Sequence, residues 1–270
     1  MGNIFANSKP AAKREVEEDY VGGGGLLDTD IYTGTIKYAY IGKAANSGAR
    51  NLTLAVTIGS TEVTRQIWMT NRDGEVTYKD KKTGDLKNLP GYNQVNALTM
   101  LLCSKEVGDM DVEDKTLSLY DYESKKEIPQ SVPCFVDLHG LELQVAIQRQ
   151  TLDKTEKNEA TGNYEPNGET RDVNEFIKFF PADKAVTLGE VAQFISSLGG
   201  DFDDVLSDGD LDKAIAKMEV EMGGWAEKWL DKNRGQTWDR STGKKEGKAF
   251  GGSAKSGGGS SKPKSNLFDD

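Results

Sequence analysis

The sequence predicts a mainly β, antiparallel barrel-like body with added helices, followed by an acidic helical segment and a disordered tail. Three observations carry this reading. Segments rich in Thr, Tyr, Ile and Val recur between turn signals up to residue 180. A single helical stretch interrupts them after the third strand. Beyond residue 235 the chain is mostly Gly, Ser and Lys, too poor in apolar groups to build a core. The expected organisation is a flexible arm at 1–25, the body at 26–185, the helical segment at 186–234, and a linker with an acidic tip at 235–270.

The elements follow in order. Val21-Gly-Gly-Gly-Gly25 is a joint ahead of a first strand at Asp30–Ile41. On that strand Tyr38 and Tyr40 are expected to share a face with Ile36, and Lys37 takes the other. Asn51–Ile58 alternates Leu52, Leu54, Val56 and Ile58 with Thr53, Ala55 and Thr57. Gly59-Ser60 is a two-residue hairpin signal, and Thr61–Thr70 returns antiparallel. There Val63, Ile67 and Met69 form the inward set, which leaves Trp68 outward beside Gln66. Asn71–Gly74 is a turn, and 75–89 reads as a hairpin around Lys-Lys-Thr-Gly. Tyr92–Val107 is expected to be a helix through Val95, Leu98, Leu101 and Leu102.

Strands resume at Lys115–Tyr122, Val132–Leu138 and Leu141–Leu152, the last two joined by a tight turn at His139-Gly140. Thr155–Glu169 reads as a polar loop. Asp172–Phe180 is a further strand, ended by Pro181. Thr187 with Glu190 forms a capping box for a helix through Val191, Phe194, Ile195 and Leu198. Ser207–Met222 and Gly224–Asn233 are expected to give two more helices. From Gly235 a flexible tether is expected. Three strands, a helix and a late hairpin are the order of a five-stranded OB barrel, which binds ligands along strands two and three and the flanking loops. A β-sandwich is the alternative.

The chemical inventory is thin. Among 270 residues there is one histidine, His139, placed before a glycine at an expected turn. Cys103 and Cys134 sit in apolar runs and read as small buried hydrophobes in a reducing compartment. With His139 they lack any usual metal spacing. Gly22–Gly25 lacks the Gly-Lys-Ser/Thr of a phosphate loop. Asp201, Asp203, Asp204, Asp208, Asp210 and Asp212 lack the glycine and glutamate spacing of a calcium loop, and Asp208 and Asp210 suit a helix N-terminus instead. No catalysis, cofactor or metal is expected. The N-terminus has no secretory h-region and no apolar run approaches the roughly 18 residues of a membrane span, so an intracellular chain without a membrane partner is expected.

Net charge is −10, unevenly spread. Residues 21–105 carry ten Lys and Arg against seven Asp and Glu, whereas residues 106–180 carry eight against seventeen. The expected site lies in the positive part. Tyr38, Tyr40, Trp68 and Tyr78 are set among Lys37, Lys43, Arg50, Arg65, Arg72, Lys79, Lys81, Lys82 and Lys87. Singly, each has an ordinary reading as a sheet cap or a solubilising charge. As a set on one barrel face they suit single-stranded nucleic acid, because each base offers a π-face and each phosphate a negative charge.

The architecture resembles the bacteriophage single-stranded DNA-binding proteins. The matching parts are the strand-rich body at about 30–180, the Gly/Ser/Lys linker at 241–265, and the tip Leu267-Phe268-Asp269-Asp270. The wording of IYTGTIKYAYIGKA and LPGYNQVNALTMLL is also similar to replication proteins of tailed phages. The tip has two acids where many such tails have a longer run, and 187–233 has no assigned counterpart. Its acidity either substitutes for the short tip or serves contacts between subunits. The resemblance implies a protein of the infected host's cytoplasm that coats single-stranded DNA during replication, recombination and repair. It would recruit polymerase, primase-helicase or nuclease through Leu267, Phe268, Asp269 and Asp270. The rival reading is a phage structural or assembly protein with an acidic interaction arm, which the sequence pI of about 4.9 favours.

Overall fold

The computed structural model describes residues 25–45, 47–121, 124–159 and 164–246. The expected arm, most of the linker and the tip residues Leu267, Phe268, Asp269 and Asp270 lie outside the described residues. The chain is mainly β, with a nine-stranded, largely antiparallel sheet.

β1 (Asp30–Lys43), β2 (Arg50–Ile58) and β3 (Thr61–Trp68) form a meander. Ile58 faces Thr61 across the Gly59-Ser60 turn, where Gly59 takes φ +57°, a conformation that needs no Cβ. β4 (Thr77–Lys79) and β5 (Leu86–Asn88) make a separate small hairpin. α1 (Pro90–Cys103) starts with proline at its first turn, where a missing N–H costs nothing. It ends four residues earlier than Val107, with a short 3₁₀ turn at Val107–Asp109. Gly91 lets α1 sit against β3. A Cβ there would lie 2.0 Å from the Trp68 carbonyl oxygen.

β6 (Val112–Asp121) and β7 (Lys126–Phe135) form one long hairpin, and β8 (Glu142–Lys157) and β9 (Tyr164–Phe180) another. The polar stretch 155–169 is therefore largely strand rather than loop. Thr155, Glu156 and Lys157 pair with Pro166, Glu165 and Tyr164 beyond a register shift at Asp153–Thr155, because backbone pairing needs no apolar side chains. β7 and β8 are not joined as a hairpin at His139-Gly140. A 3₁₀ turn at Val136–Leu138 separates them, and both pair with β1: β8 along Asp30–Thr35, β7 at Tyr40.

The main core gathers Ile36, Ala39, Leu52, Leu54, Val56, Val63 and Ile67 with Val95 and Leu98 of α1 and Leu143, Val145, Ile147 and Phe179. The sheet curls until β3 approaches β9. No ladder joins these two strands among the described residues. Arg65 closes the seam instead: its Nε donates to the Asn174 carbonyl and lies 3.4 Å from Glu175.

The helical segment packs on the body through two further clusters. Met100 and Leu101 of α1 meet Val191, Ile195, Leu211 and Ile215. These belong to α2 (Leu188–Ser197), capped by the Thr187–Glu190 box, and to α4 (Leu211–Ala216). The helix expected at Ser207–Met222 is shortened to α4, and a separate α3 (Phe202–Ser207) precedes it, with the break at Gly209, φ +69°. Asp201 caps α3, Asp208 lies at its C-terminus, and Asp210 opens α4. α5 (Gly224–Asn233) stacks Trp225 on Trp229 and packs with Phe180 and Ala146.

The tether expected from Gly235 begins as structure. β10 (Thr237–Asp239) pairs parallel to β8 at Arg149–Thr151, and β11 (Lys244–Glu246) pairs with β10. β10 takes the β8 edge where β1 leaves it, so otherwise unpaired backbone groups are satisfied. No described helix is long and apolar enough to cross a membrane.

Candidate functional site

The outer face of β1–β3 follows from register. Three cross-strand rows point away from the core: Tyr38–Ala55–Thr64, Tyr40–Thr53–Gln66 and Gly42–Asn51–Trp68. The middle strand carries small or short side chains between longer ones. Asn51, Thr53 and Ala55 are thus almost fully covered although they face outward. Thr53 Oγ1 donates to Asn51 Oδ1 at 3.0 Å, which leaves this polar floor hydrogen-bonded.

Tyr38 and Tyr40 reach this face through a β-bulge. The β1–β2 register shifts between Ile36 and Tyr38, so Lys37 is an extra residue. Ile36 and Ala39 both point inward and are fully buried. The tyrosines therefore do not share a face with Ile36, as strict alternation would have it.

Above the floor lies an open groove of about 670 Å³. Tyr38, Tyr40, Arg65 and Trp68 line it, with Thr53, Thr64 and Gln66. The hairpin arms supply Leu119 and Tyr120 of β6, Leu152 of β8, and Arg171, Val173 and Glu175 of β9. Trp68 is 45% exposed, so its ring is available to a ligand. The Tyr38 and Tyr40 rings stand 5.9 Å apart and 37° off parallel, presenting two separate faces. Burial raises the pKa of the Tyr38 hydroxyl above its usual range, with the Glu62 charge adding to the effect, so it is a neutral phenol at pH 7.

The expected cations are distributed differently. Lys37 lies beside the groove but is held by Glu62 at 2.6 Å, which raises its pKa, and its ammonium is 5.9 Å from the Tyr38 ring. Lys43 and Arg50 pair across the open end of β1 and β2, one step beyond the Trp68 row. The Arg72 carbonyl accepts from Gly48 N–H at 2.7 Å, which draws its turn to the same end. These three residues are exposed at that end of the meander, and none of them lines the groove. Tyr78, Lys79, Lys81 and Lys82 sit on or beside the β4–β5 hairpin, outside the lining. Lys87 is paired with Asp80 there.

Tyr120 and Arg171 were not singled out from the sequence. Tyr120 lies within an expected strand and Arg171 just past an expected loop, and only the curl of the two arms brings them to the face of β1–β3. Cys134 is buried as expected and Cys103 half-buried; burial pushes the Cys103 thiol up to about 11. His139 accepts a main-chain hydrogen bond from Ala39. No protein-family model matches the chain, and no curated protein matches it.

Proposed function

We propose that this protein binds single-stranded DNA along the outer face of β1–β3, coating it during replication, recombination and repair in the cytoplasm of an infected bacterium. The observation that carries the reading is the convergence of Tyr38, Tyr40, Trp68 and Tyr120 with Arg65 and Arg171 in one open groove. Aromatic platforms among cations accept any base by stacking and hold the backbone by charge, without base-specific hydrogen bonds. The chain resembles phage proteins of this class in its strand-rich body, its Gly/Ser/Lys linker and its acidic tip. On that resemblance the segment 266–270 recruits the replication partner, polymerase, primase-helicase or nuclease.

The test is fluorescence anisotropy with a labelled oligothymidine and with duplex of equal length, each titrated across a salt series. The expected result is tighter binding to the single strand, with affinity falling as salt rises because counterions are released. Equal affinity for duplex, or indifference to salt, refutes the groove as a single-strand site.

A further inference from the structure

The two groove arginines differ in what already holds them. Arg65 is half-buried and largely consumed. Its Nε donates to the Asn174 carbonyl, its Nη1 donates to the Thr64 carbonyl at 2.9 Å, and Glu175 sits 3.4 Å away. Arg171 lies on the facing arm, opposite Leu152, and is exposed. The carboxylates nearest to it along β9 are all engaged elsewhere. Glu169 is held by Lys154 at 2.9 Å, Asp172 by Arg149 at 2.7 Å, and Glu175 by Arg65. Among the described residues Arg171 forms no ion pair.

Resting on the single-strand reading of the groove, we propose that Arg171 is its phosphate-binding cation. Arg65 is a positioning residue that closes the β3–β9 seam. An uncompensated guanidinium in a groove walled by aromatic rings suits a backbone phosphodiester, which it can hold through two parallel N–H donors. A guanidinium whose donors are already directed at main-chain carbonyls offers fewer to a ligand. Burial lowers the Arg65 pKa, Glu175 opposes the shift, and the nearby Arg171 charge adds to it. The two cations thus sense each other across the groove, and an anion seated beside Arg171 relieves that repulsion.

The test is the slope of log affinity against log salt for oligothymidine binding to the full chain. Arg171→Gln is expected to weaken binding several-fold at low salt and to flatten the slope by about 0.7, the share of one phosphate contact on a single strand. Lys213→Gln removes one positive charge from the helical segment and is expected to leave the slope unchanged. Glu175→Gln uncovers Arg65 and is expected to tighten binding. An unchanged slope in Arg171→Gln overturns the assignment while the single-strand reading stands. Weaker binding in Glu175→Gln shows that the carboxylate contacts the ligand, and overturns the division of labour between the arginines. A wild-type chain that shows no salt-dependent binding removes the single-strand reading, and this inference with it.

Discussion

The main-chain N–H of Ala39 donates to Nε2 of His139 at 3.1 Å. This bond bridges the gap where β1 changes partner. Up to Thr35 its ladder is with β8, and at Tyr40 it is with β7. Between them Ile36 N–H donates to the Leu141 carbonyl and Gly140 N–H donates to the Ile36 carbonyl. The only histidine of the chain is thus a structural acceptor at the bulge that turns Tyr38 and Tyr40 outward.

Replacing His139 with alanine orphans that buried amide. His139→Ala is expected to destabilise the fold by roughly 1–3 kcal/mol, the cost of a buried donor left without an acceptor. Urea unfolding measures the loss. Faster hydrogen exchange at the Ala39 amide localises it. An unaltered exchange rate there refutes the bridging role.

Trp68→Ala is expected to weaken oligothymidine binding by about 1–3 kcal/mol, the worth of one aromatic platform. Thermal unfolding should change little, since the ring is exposed and the close contact with Gly91 runs through the Trp68 carbonyl. A collapse in stability with binding intact in the folded fraction assigns the ring to packing instead.

The carboxylate of Asp172 accepts from Thr151 Oγ1 at 2.6 Å and from Arg149 at 2.7 and 3.0 Å. These bonds, the one from Thr151 first, hold its pKa below the ordinary carboxylate value. A folded-state pKa below the unfolded one stabilises the protein above about pH 4, and the contribution is lost as pH falls through the folded value. The stability gap between wild type and Asp172→Asn should therefore be widest at neutral pH and narrow steadily in acid. A gap that is constant from pH 7 to pH 3 contradicts this.

Deleting β10 and β11 by ending the chain after Gln236 strips the β8 edge at Arg149–Thr151. Measured against a chain ending at Glu246, the expected loss is roughly 1–3 kcal/mol, since each ladder hydrogen bond contributes about 0.5–1.5 kcal/mol net. Equal melting temperatures for the two chains would mean that β10 adds nothing to the sheet.

Much of the body was legible because it is written in local patterns. The alternation in β2 and β3 placed Val63, Ile67 and Met69 inward and Trp68 outward, as found. Gly59-Ser60 set the hairpin register, and Thr187 with Glu190 capped α2. What failed did so where a local pattern is silent. Nothing in Ile36-Lys37-Tyr38 marks the bulge, which falls where the other edge of β1 passes from β8 to β7. The polar arms of β8 and β9 have no apolar alternation to announce them. Asp208 and Asp210 read alike as acids at one helix N-terminus, whereas Asp208 closes α3 and only Asp210 opens α4, with Gly209 between them.

The sequence by itself determined a mainly β body with an intervening helix, a capped helical segment and an outward Trp68, since side-chain period, turn chemistry and capping act within a few residues. The tertiary structure alone decided the site's boundaries. Arg65 meets Asn174 across 109 positions of chain, and Tyr120 and Arg171 reach the groove on arms that start elsewhere in the sheet. Such encounters depend on how a twisted sheet curls and which edge it leaves open, and no short stretch of sequence carries that geometry.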